Sequence, residues 1–275
     1  MNRTLNSNHS RKSLMQVKLF QIDAFTTRRF AGNPAAVMLM RAYPPDVVLQ
    51  ALAAENNLAE TAFIVPDGDD YRLRWFTPTV EVPLCGHATL ASAAAVMERL
   101  EPSRAIVVFH SASGPLTVSR VGAAYVMDFP ARPCTATEAP AGLAAALGAA
   151  PVEVVWDGFN YLARLKTADD VRTLSPDLSA IEQLDCAGVI ATAKDGSDFD
   201  FVSRYFAPAK GIPEDPVTGG AHCALAPFWA PRLGKTEFRA FQASWRGGEI
   251  ICRLKGERVE LEGACAFYLE GEATI

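Results

Sequence analysis

The sequence predicts an α+β protein with two pseudo-symmetric lobes, each a curved, mostly antiparallel sheet around a central helix. Three observations lead to this fold class. Short runs rich in Val, Ile and aromatic residues dominate the chain. Helical stretches are few and do not alternate with strands one by one, which disfavours a doubly wound parallel sheet or barrel. Finally, one sequence pattern occurs twice, so we expect an active-site cleft between two similar lobes.

The strand-like runs are separated by Gly, Pro or Asp, as is typical of turns. They lie at 17–25, 35–40, 61–66, 71–77, 105–111, 123–130, 152–158, 161–166, 188–193, 200–207, 237–244 and 248–256. Helices are predicted at 45–56, at 87–100, near 141–148 and from Gly219 onward. The helix at 87–100 begins without a polar face, so we expect it to be buried all round.

The repeated pattern is Asp-aromatic-x-x-Arg-aromatic-Phe-x-Pro, which begins at Asp70 and again at Asp200. An Asp-Gly pair, typical of hairpins, precedes each copy, and a Gly-containing turn with an Ala-rich helix follows it. We interpret this as an internal duplication. It predicts an N-terminal disordered or extended tail at 1–15, a first lobe at 16–128 and a second lobe at 129–275, whose last strand can return to the first lobe.

Candidate functional residues gather where the two Ala-rich helices begin. Cys85-Gly86-His87 occupies the first start, and Asp215 with Thr218-Gly219-Gly220 the second. Helix N-termini carry free N–H groups and partial positive charge, so two of them facing a cleft would hold a carboxylate or an oxyanion. Plain helix capping is the alternative. Glu60 becomes a candidate base only if it enters the cleft, and the segment containing Asn33 is first of all a turn.

The composition excludes several functions. The 26 basic and 31 acidic residues give a net charge of -5, which argues against nucleic acid as the main partner. The chain has no apolar run long enough for a membrane span. The six cysteines show no CxxC spacing and are expected to be free thiols in a reducing, cytoplasmic setting. No nucleotide-binding glycine motif and no accepted zinc spacing are present, so we expect neither cofactor nor metal.

Four motifs in order resemble the PhzF-like family of phenazine-biosynthesis isomerases, in its uncharacterised branch. They lie at 20–37, 56–66, 77–93 and 207–229. The resemblance covers nearly the whole chain after about residue 16 and implies a diaminopimelate-epimerase-like fold.

The resemblance also implies an activity and roles for residues. The best-characterised family activity isomerises trans-2,3-dihydro-3-hydroxyanthranilate without a cofactor, a carboxylate moving a proton between two carbons. Glu60 matches that acid/base, and His87 and Asp215 match the polar residues beside it. The other substrate-binding candidates at the helix starts and the turn are Gly86, Gly219, Gly220, Cys85, Asn33 and Thr218. A small carboxylated metabolite as substrate and a homodimer are the expected partners.

Two departures keep other functions open. Gly220 stands where isomerases of the family tend to have Ser, which leaves one hydroxyl donor missing. The protein is therefore an acid/base isomerase, a lapsed enzyme that binds a small ligand or a partner, or an epimerase assisted by Cys85. For the last, a helix start is expected to lower the pKa of Cys85, but Thr218 rather than a second Cys occupies the matching position.

Overall fold

The computed structural model describes residues 15–275. Most of the predicted N-terminal tail therefore lies outside the described residues. Met15, its last residue, belongs to the folded part, because its backbone exchanges two 2.9 Å hydrogen bonds with Ile275.

Seventeen strands and six α-helices follow one another along these residues. The strands are β1 (Gln16–Ala24), β2 (Asn33–Leu39), β3 (Glu60–Asp67), β4 (Asp70–Phe76), β5 (Glu81–Val82), β6 (Ile106–Ser111), β7 (Gly114–Val121), β8 (Ala124–Pro130), β9 (Thr135–Ala136), β10 (Glu153–Trp156), β11 (Asn160–Arg164), β12 (Gly188–Lys194), β13 (Phe201–Ala207), β14 (Ile212–Asp215), β15 (Glu237–Gln242), β16 (Gly248–Lys255) and β17 (Arg258–Thr274). The helices are α1 (Asp46–Asn56), α2 (Gly86–Ala95), α3 (Leu143–Leu147), α4 (Ala168–Arg172), α5 (Leu178–Glu182) and α6 (Gly219–Leu233). A π-helical turn (Val96–Leu100) extends α2.

The α+β class is confirmed, and each predicted strand coincides with an observed one. Sequence analysis missed β7 and β17, together with several short elements. Strand β7 is mostly exposed and lacks a clear apolar alternation, whereas β17 carries Gly and acidic residues within its length. Both strands are defined by pairing with neighbours rather than by their own propensity.

The two halves of the chain repeat one pattern of strand pairing. In the first half, β1–β2 is antiparallel, β2–β3 parallel, β3–β4 antiparallel, β4–β6 parallel, and β6–β7 and β7–β8 antiparallel. In the second half, β10–β11, β11–β12, β12–β13, β13–β15, β15–β16 and β16–β17 follow the same order of directions. An internal duplication accounts for this correspondence.

Strand β17 joins the two halves. Its first part pairs with both β16 and β8, and its second part pairs with β1. The last strand therefore pairs with strands of both halves. The predicted division at residue 128 lies within β8, and it stays a prediction.

Each half wraps its sheet around one helix. Every residue of α2 after Gly86 is buried, and most residues of α6 are buried as well. Their side chains are largely Ala and other small residues, which lets the strands approach closely. The two helices begin at the same place: an ideal Cβ built on Gly86 would lie 3.8 Å from the Cα of Gly219. This contact positions the candidate site.

Matching ion pairs hold the approach to each helix. Arg74 of the repeat binds Glu81, and Arg204 binds Glu214, each with a shortest N–O distance of 2.7 Å. Both pairs tie the strand of the repeat to the short strand that follows it. The two repeat arginines therefore have matching structural roles. No helix within residues 15–275 has the length and apolar character needed to cross a membrane.

Candidate active site

The candidate residues come together at the ends of strands and the beginnings of helices. Glu60 is the first residue of β3, and Asn33 is the first residue of β2 beside it, because these two strands run parallel. Cys85 and His87 flank the first residue of α2. Asp215 ends β14, three residues before the N-cap of α6 at Thr218. The first four side chains come from the first half and the last two from the second.

The first half contributes a buried row of three groups. His87 Nε2 lies 3.2 Å from Glu60 Oε2, and His87 Nδ1 lies 3.5 Å from Cys85 Sγ. The exposed fractions of these residues are only 4% for His87 and 7% for both partners. Glu60 Oε2 and His87 Nε2 are at ion-pair distance but not aligned for a hydrogen bond, and neither has another partner. Both atoms therefore keep hydrogen-bonding capacity for a ligand.

The protonation of this row follows from burial and charge. Burial by itself lowers the pKa of His87, but the adjacent Cys85 and Glu60 more than offset this and raise it well above its usual value. Burial is also the main reason why the pKa of Cys85 is raised, with the Glu60 charge adding to it. Because its raised pKa keeps Cys85 a neutral thiol, we attribute the raised pKa of His87, and hence its imidazolium form, to the charge of Glu60. The expectation that the helix start would lower the pKa of Cys85 is wrong, since burial outweighs the helix dipole here.

Asn33 bridges the two halves. Its Nδ2 donates to Asp215 Oδ1 at 2.7 Å and to the Val217 carbonyl oxygen at 3.0 Å, and it lies 3.1 Å from His87 Nδ1. Its Oδ1 is buried without a partner. The turn before Asn33 requires Gly32, whose φ is +64° and whose added Cβ would lie 2.2 Å from the Ala24 carbonyl oxygen. The predicted turn thus places Asn33 in the site.

The second half contributes a carboxyl group held by its own network. Thr218 Oγ1 donates to Asp215 Oδ2 at 2.6 Å. Gln242, which is fully buried, donates from Nε2 to the Asp215 carbonyl oxygen and accepts at Oε1 from the Thr218 N–H. Burial raises the pKa of Asp215 to about 6, although the charge of His87 opposes this rise. This carboxyl can therefore exchange a proton near neutral pH.

The helix starts leave their first N–H groups free of an oxygen cap. Cys85 caps α2 and carries sulfur, whereas Thr218 at the N-cap of α6 turns its hydroxyl to Asp215. Uncapped N–H groups at a helix start bind anions. Together with the free atoms of Glu60, His87 and Asn33, they form a closed polar site suited to an anionic ligand and to proton transfer.

One set of metal-ligating side chains lies close together within residues 15–275: Glu60, Cys85 and His87, with ligand atoms within 4.8 Å of one another. Its arrangement suits charge stabilisation around the His87 ring better than a metal centre. Cys85 Sγ lies beside His87 Nδ1, whereas Glu60 Oε2 lies beside His87 Nε2. A single metal ion can bind only one nitrogen of an imidazole ring, so it could not use all three side chains in this arrangement.

His222 and Cys223 of α6 belong to the interior of the second half. His222 Nδ1 lies 2.8 Å from the Thr218 carbonyl oxygen, and its ring stacks with Phe201. Burial lowers the pKa of His222 to about 4 and raises that of Cys223 to about 12.

A separate cavity of about 300 Å³ lies behind the site, between the segment 25–31 and strands β15 and β16. None of the candidate residues lines it. We therefore define the candidate site by the convergence of side chains and not by this cavity.

The structure brings together all the side chains that the sequence singled out and places Gly86 against Gly219. Sequence analysis missed two residues. Gln242 lies at the end of β15, and Arg132 lies beyond β8 beside Gly220. Neither belongs to a recognisable motif, and both reach the site only through the packing of distant segments.

Comparison with known proteins identifies the family of this chain. The family model described as phenazine biosynthesis-like protein, PhzC-PhzF, matches residues 22–275. An uncharacterized isomerase of Pseudomonas aeruginosa is 48% identical over 257 residues, covering 94% of this chain and 98% of that protein. One from Halalkalibacterium halodurans is 44% identical over 265 residues, covering 95% of this chain and 100% of that protein.

Solved structures show the same fold. A PhzF-family phenazine biosynthesis protein of Enterococcus faecalis superposes with a TM-score of 0.92 at 42% identity, covering 95% of this chain and 100% of that one. The family match spans most of the chain, and the fold agrees with the two lobes described above. The chain belongs to the PhzC-PhzF family of phenazine biosynthesis-like proteins.

Proposed function

We propose that this protein is a cofactor-independent isomerase that moves a proton on a small carboxylated metabolite by acid/base catalysis. The observation that carries the proposal is the convergence of Glu60, His87 and Asp215 from both halves at two facing helix starts. Dispersed or exposed acids would have favoured a lapsed enzyme that only binds a ligand. The relatives named isomerases support the reaction class.

Glu60 is the proposed base and acid. Its Oε2 accepts a proton from one substrate carbon, and the electron pair of that C–H bond is delocalised into the adjoining unsaturated system. The resulting carboxylic acid returns the proton to another carbon, so that a double bond moves and no atoms are gained or lost. Glu60 suits this task because Oε2 has no hydrogen-bond partner that would hold it back.

The surrounding groups would stabilise charge during this transfer. The His87 imidazolium balances the Glu60 carboxylate, and Asp215 is a second exchangeable proton carrier. Negative charge that develops on the substrate would face the uncapped N–H groups of α2 and α6. Such preorganised donors act strongly in a site closed to water.

An epimerase with two thiol bases is less well supported. The raised pKa of Cys85 keeps that thiol neutral, and Thr218 occupies the matching position of the second half. The exact substrate, including the dihydrohydroxyanthranilate suggested by the resemblance, is likewise a proposal, as are the homodimer and the cytoplasmic location. Sedimentation of the purified protein tests the dimer.

The test is deuterium incorporation from D₂O into trans-2,3-dihydro-3-hydroxyanthranilate and a panel of small unsaturated carboxylic acids, followed by proton NMR. We expect exchange with the wild type, and a rate lower by about 10²–10⁴ with Glu60→Gln, since a positioned acid/base contributes that much. Glu55→Gln, an exposed change on α1, is the matched control.

Two results would contradict the proposal. Undiminished exchange in Glu60→Gln would remove Glu60 from the mechanism. Binding of an acid without any exchange would identify a ligand-binding protein instead.

A further inference from the structure

A positively charged side chain that the sequence did not single out reaches the start of α6. Arg132 follows β8, and its backbone N–H donates to the Cys223 carbonyl oxygen at 2.9 Å. An ideal Cβ on Gly220 would lie 3.7 and 3.8 Å from the two terminal nitrogens of its guanidinium. The guanidinium therefore lies beside the first turn of α6, at the second of the two helix starts.

Within residues 15–275, Arg132 has no carboxylate at salt-bridge distance. Among Lys and Arg of residues 15–275, it is the one residue that is partly buried and yet has no carboxylate within 4.0 Å. Its guanidinium carbon lies 5.3 Å from the centre of the Phe159 ring. Removing a cation from water without a partner is costly, so an unpaired, partly buried guanidinium indicates a place where a ligand supplies the anion.

A second cation points to the same place. The Lys210 ammonium donates to Tyr205 Oη at 3.4 Å, although Lys210 as a whole residue is exposed. Burial of the ammonium and then repulsion by Arg132 lower the pKa of Lys210. Asp157 and Asp215 act in the opposite direction and raise the pKa of Lys210, but neither carboxylate lies within 4.0 Å of Arg132 or Lys210 in the described residues. Both cations therefore lack a direct ion-pair partner and can pair with an anionic ligand.

Neighbouring groups complete an anion-binding site beside Arg132. The first N–H groups of α6 are free of an oxygen cap, since Thr218 gives its hydroxyl to Asp215. Buried atoms without partners, His87 Nε2 and Asn33 Oδ1, lie on the facing side of the cleft. Gly220 has no side chain to fill the space between the helix start and the guanidinium.

We infer that Arg132 determines specificity by binding the carboxylate of the substrate, together with the first-turn N–H groups of α6. This inference rests on the proposed function and names the group that orients the metabolite against Glu60. Arg132 supplies the donor that is missing at Gly220, where isomerases of the family tend to have Ser. A guanidinium binds a carboxylate through two parallel hydrogen bonds, which fixes its orientation as well as its position.

The test compares two probes that differ by one carboxyl group, 3-hydroxyanthranilate and 2-aminophenol, by titration calorimetry. We expect the wild type to bind the carboxylated probe at least about tenfold more tightly, and Arg132→Gln to lose that preference. Arg132→Lys should keep part of it, because it retains the charge without the fork. Arg41→Gln, at an exposed arginine, is the control and should bind like the wild type.

A second pair of variants tests the site if Arg132→Gln fails to fold. Gly220→Asp introduces a carboxylate beside Arg132 without a close contact, and aspartate is favourable in the first turn of a helix. We expect it to abolish the preference for the carboxylated probe by pairing with Arg132. Gly220→Asn has the same shape without the charge and should retain most of the preference.

The outcomes separate this inference from the proposed function. Glu60→Gln should keep the wild-type preference for the carboxylated probe while losing proton exchange. An unchanged preference in Arg132→Gln, an equal effect of Gly220→Asp and Gly220→Asn, or a wild type that does not distinguish the two probes would overturn the role of Arg132.

Discussion

The two halves of this protein share a scaffold but not a chemistry. In the first half, β3 begins with Glu60, and the helix start reads Cys85-Gly86-His87. In the second half, the matching strand β12 begins with Gly188, and the helix start reads Thr218-Gly219-Gly220. The proposed base, Glu60, and the imidazole beside it therefore belong to one half only. The other half offers Asp215, small residues and Arg132, which suits binding better than proton abstraction.

The features that both halves share are contacts in the segments leading into α2 and α6. Ser113 donates to the Pro83 carbonyl oxygen at 2.7 Å, and Ser244 donates to the Pro216 carbonyl oxygen at 2.8 Å. The paired Arg–Glu contacts repeat in the same way. The comparison teaches that turns and helix starts tolerate little change in geometry after duplication, whereas the side chains at the cleft can diverge.

The largest difference that we expect concerns two histidines in the central helices. The pKa of His222 is lowered by burial to about 4, whereas that of His87 is raised well above its usual value despite burial, through Cys85 and Glu60. The native protein binds fewer protons at His222 than the unfolded chain. Its contribution to stability is therefore lost as the pH falls from about 6.5 towards 4, by about 3 kcal/mol in total.

The sign is opposite for His87. Its contribution is fully present below about pH 6.5 and is lost as the pH rises through its folded-state pKa. Imidazole NMR titration checks both directions, with His222→Gln to assign the signals. If both rings titrate together near pH 6.5, the contrast between the two helices is wrong.

A smaller effect, on stability, is expected at Gly188, which begins β12 as Glu60 begins β3. A Cβ on Gly188 would lie 2.7 Å from the Phe206 carbonyl oxygen and 2.8 Å from the Tyr205 ring. Gly188→Ala should lower the free energy of unfolding by about 1–3 kcal/mol through overpacking. Gly196→Ala, at a glycine with nothing within 4 Å of an added Cβ, is the matched control. Equal urea midpoints for the two variants would show that the second half could have accommodated a side chain there.

The smallest expected effect is a difference in stability between the two Arg–Glu ion pairs, one in each half. The Arg204–Glu214 side chains are 12% and 16% exposed, whereas those of Arg74–Glu81 are 24% and 41% exposed. Because solvent screens the more exposed pair, Glu81→Gln should cost less than about 1 kcal/mol, and Glu214→Gln should cost more. Urea unfolding of both variants measures the difference, and a larger loss in Glu81→Gln would reverse the expected order.

Local patterns were sufficient to predict much of the fold and the site. Short runs rich in Val, Ile and aromatic residues predicted the strands, because these side chains pack well on a pleated, buried surface. The repeated Arg-aromatic-Phe-x-Pro segment predicted the second copy of the fold. His87 and Asp215 could be named because they stand at the glycine-containing helix starts, whereas Glu60 was named through the resemblance to the PhzF-like family.

Other residues could not be predicted in this way. Gln242 and Arg132 lie in segments without a motif, and their roles arise from contacts with α6 and the turn before it. The sign of the Cys85 pKa shift was also missed. It depends on the balance between burial and the helix dipole, and a sequence shows the dipole but not the burial.

The sequence by itself predicted an α+β protein with a repeated strand-and-helix pattern and a glycine-containing start to each of its two Ala-rich helices. Only the tertiary structure decided which groups meet. Asn33 and Asp215 are 182 residues apart along the chain and yet share a hydrogen bond, and Glu60 reaches His87 through strand pairing rather than sequence proximity. The physical reason is that propensity and capping act over a few residues, whereas proton affinity and ligand charge depend on burial and on neighbours brought together by packing.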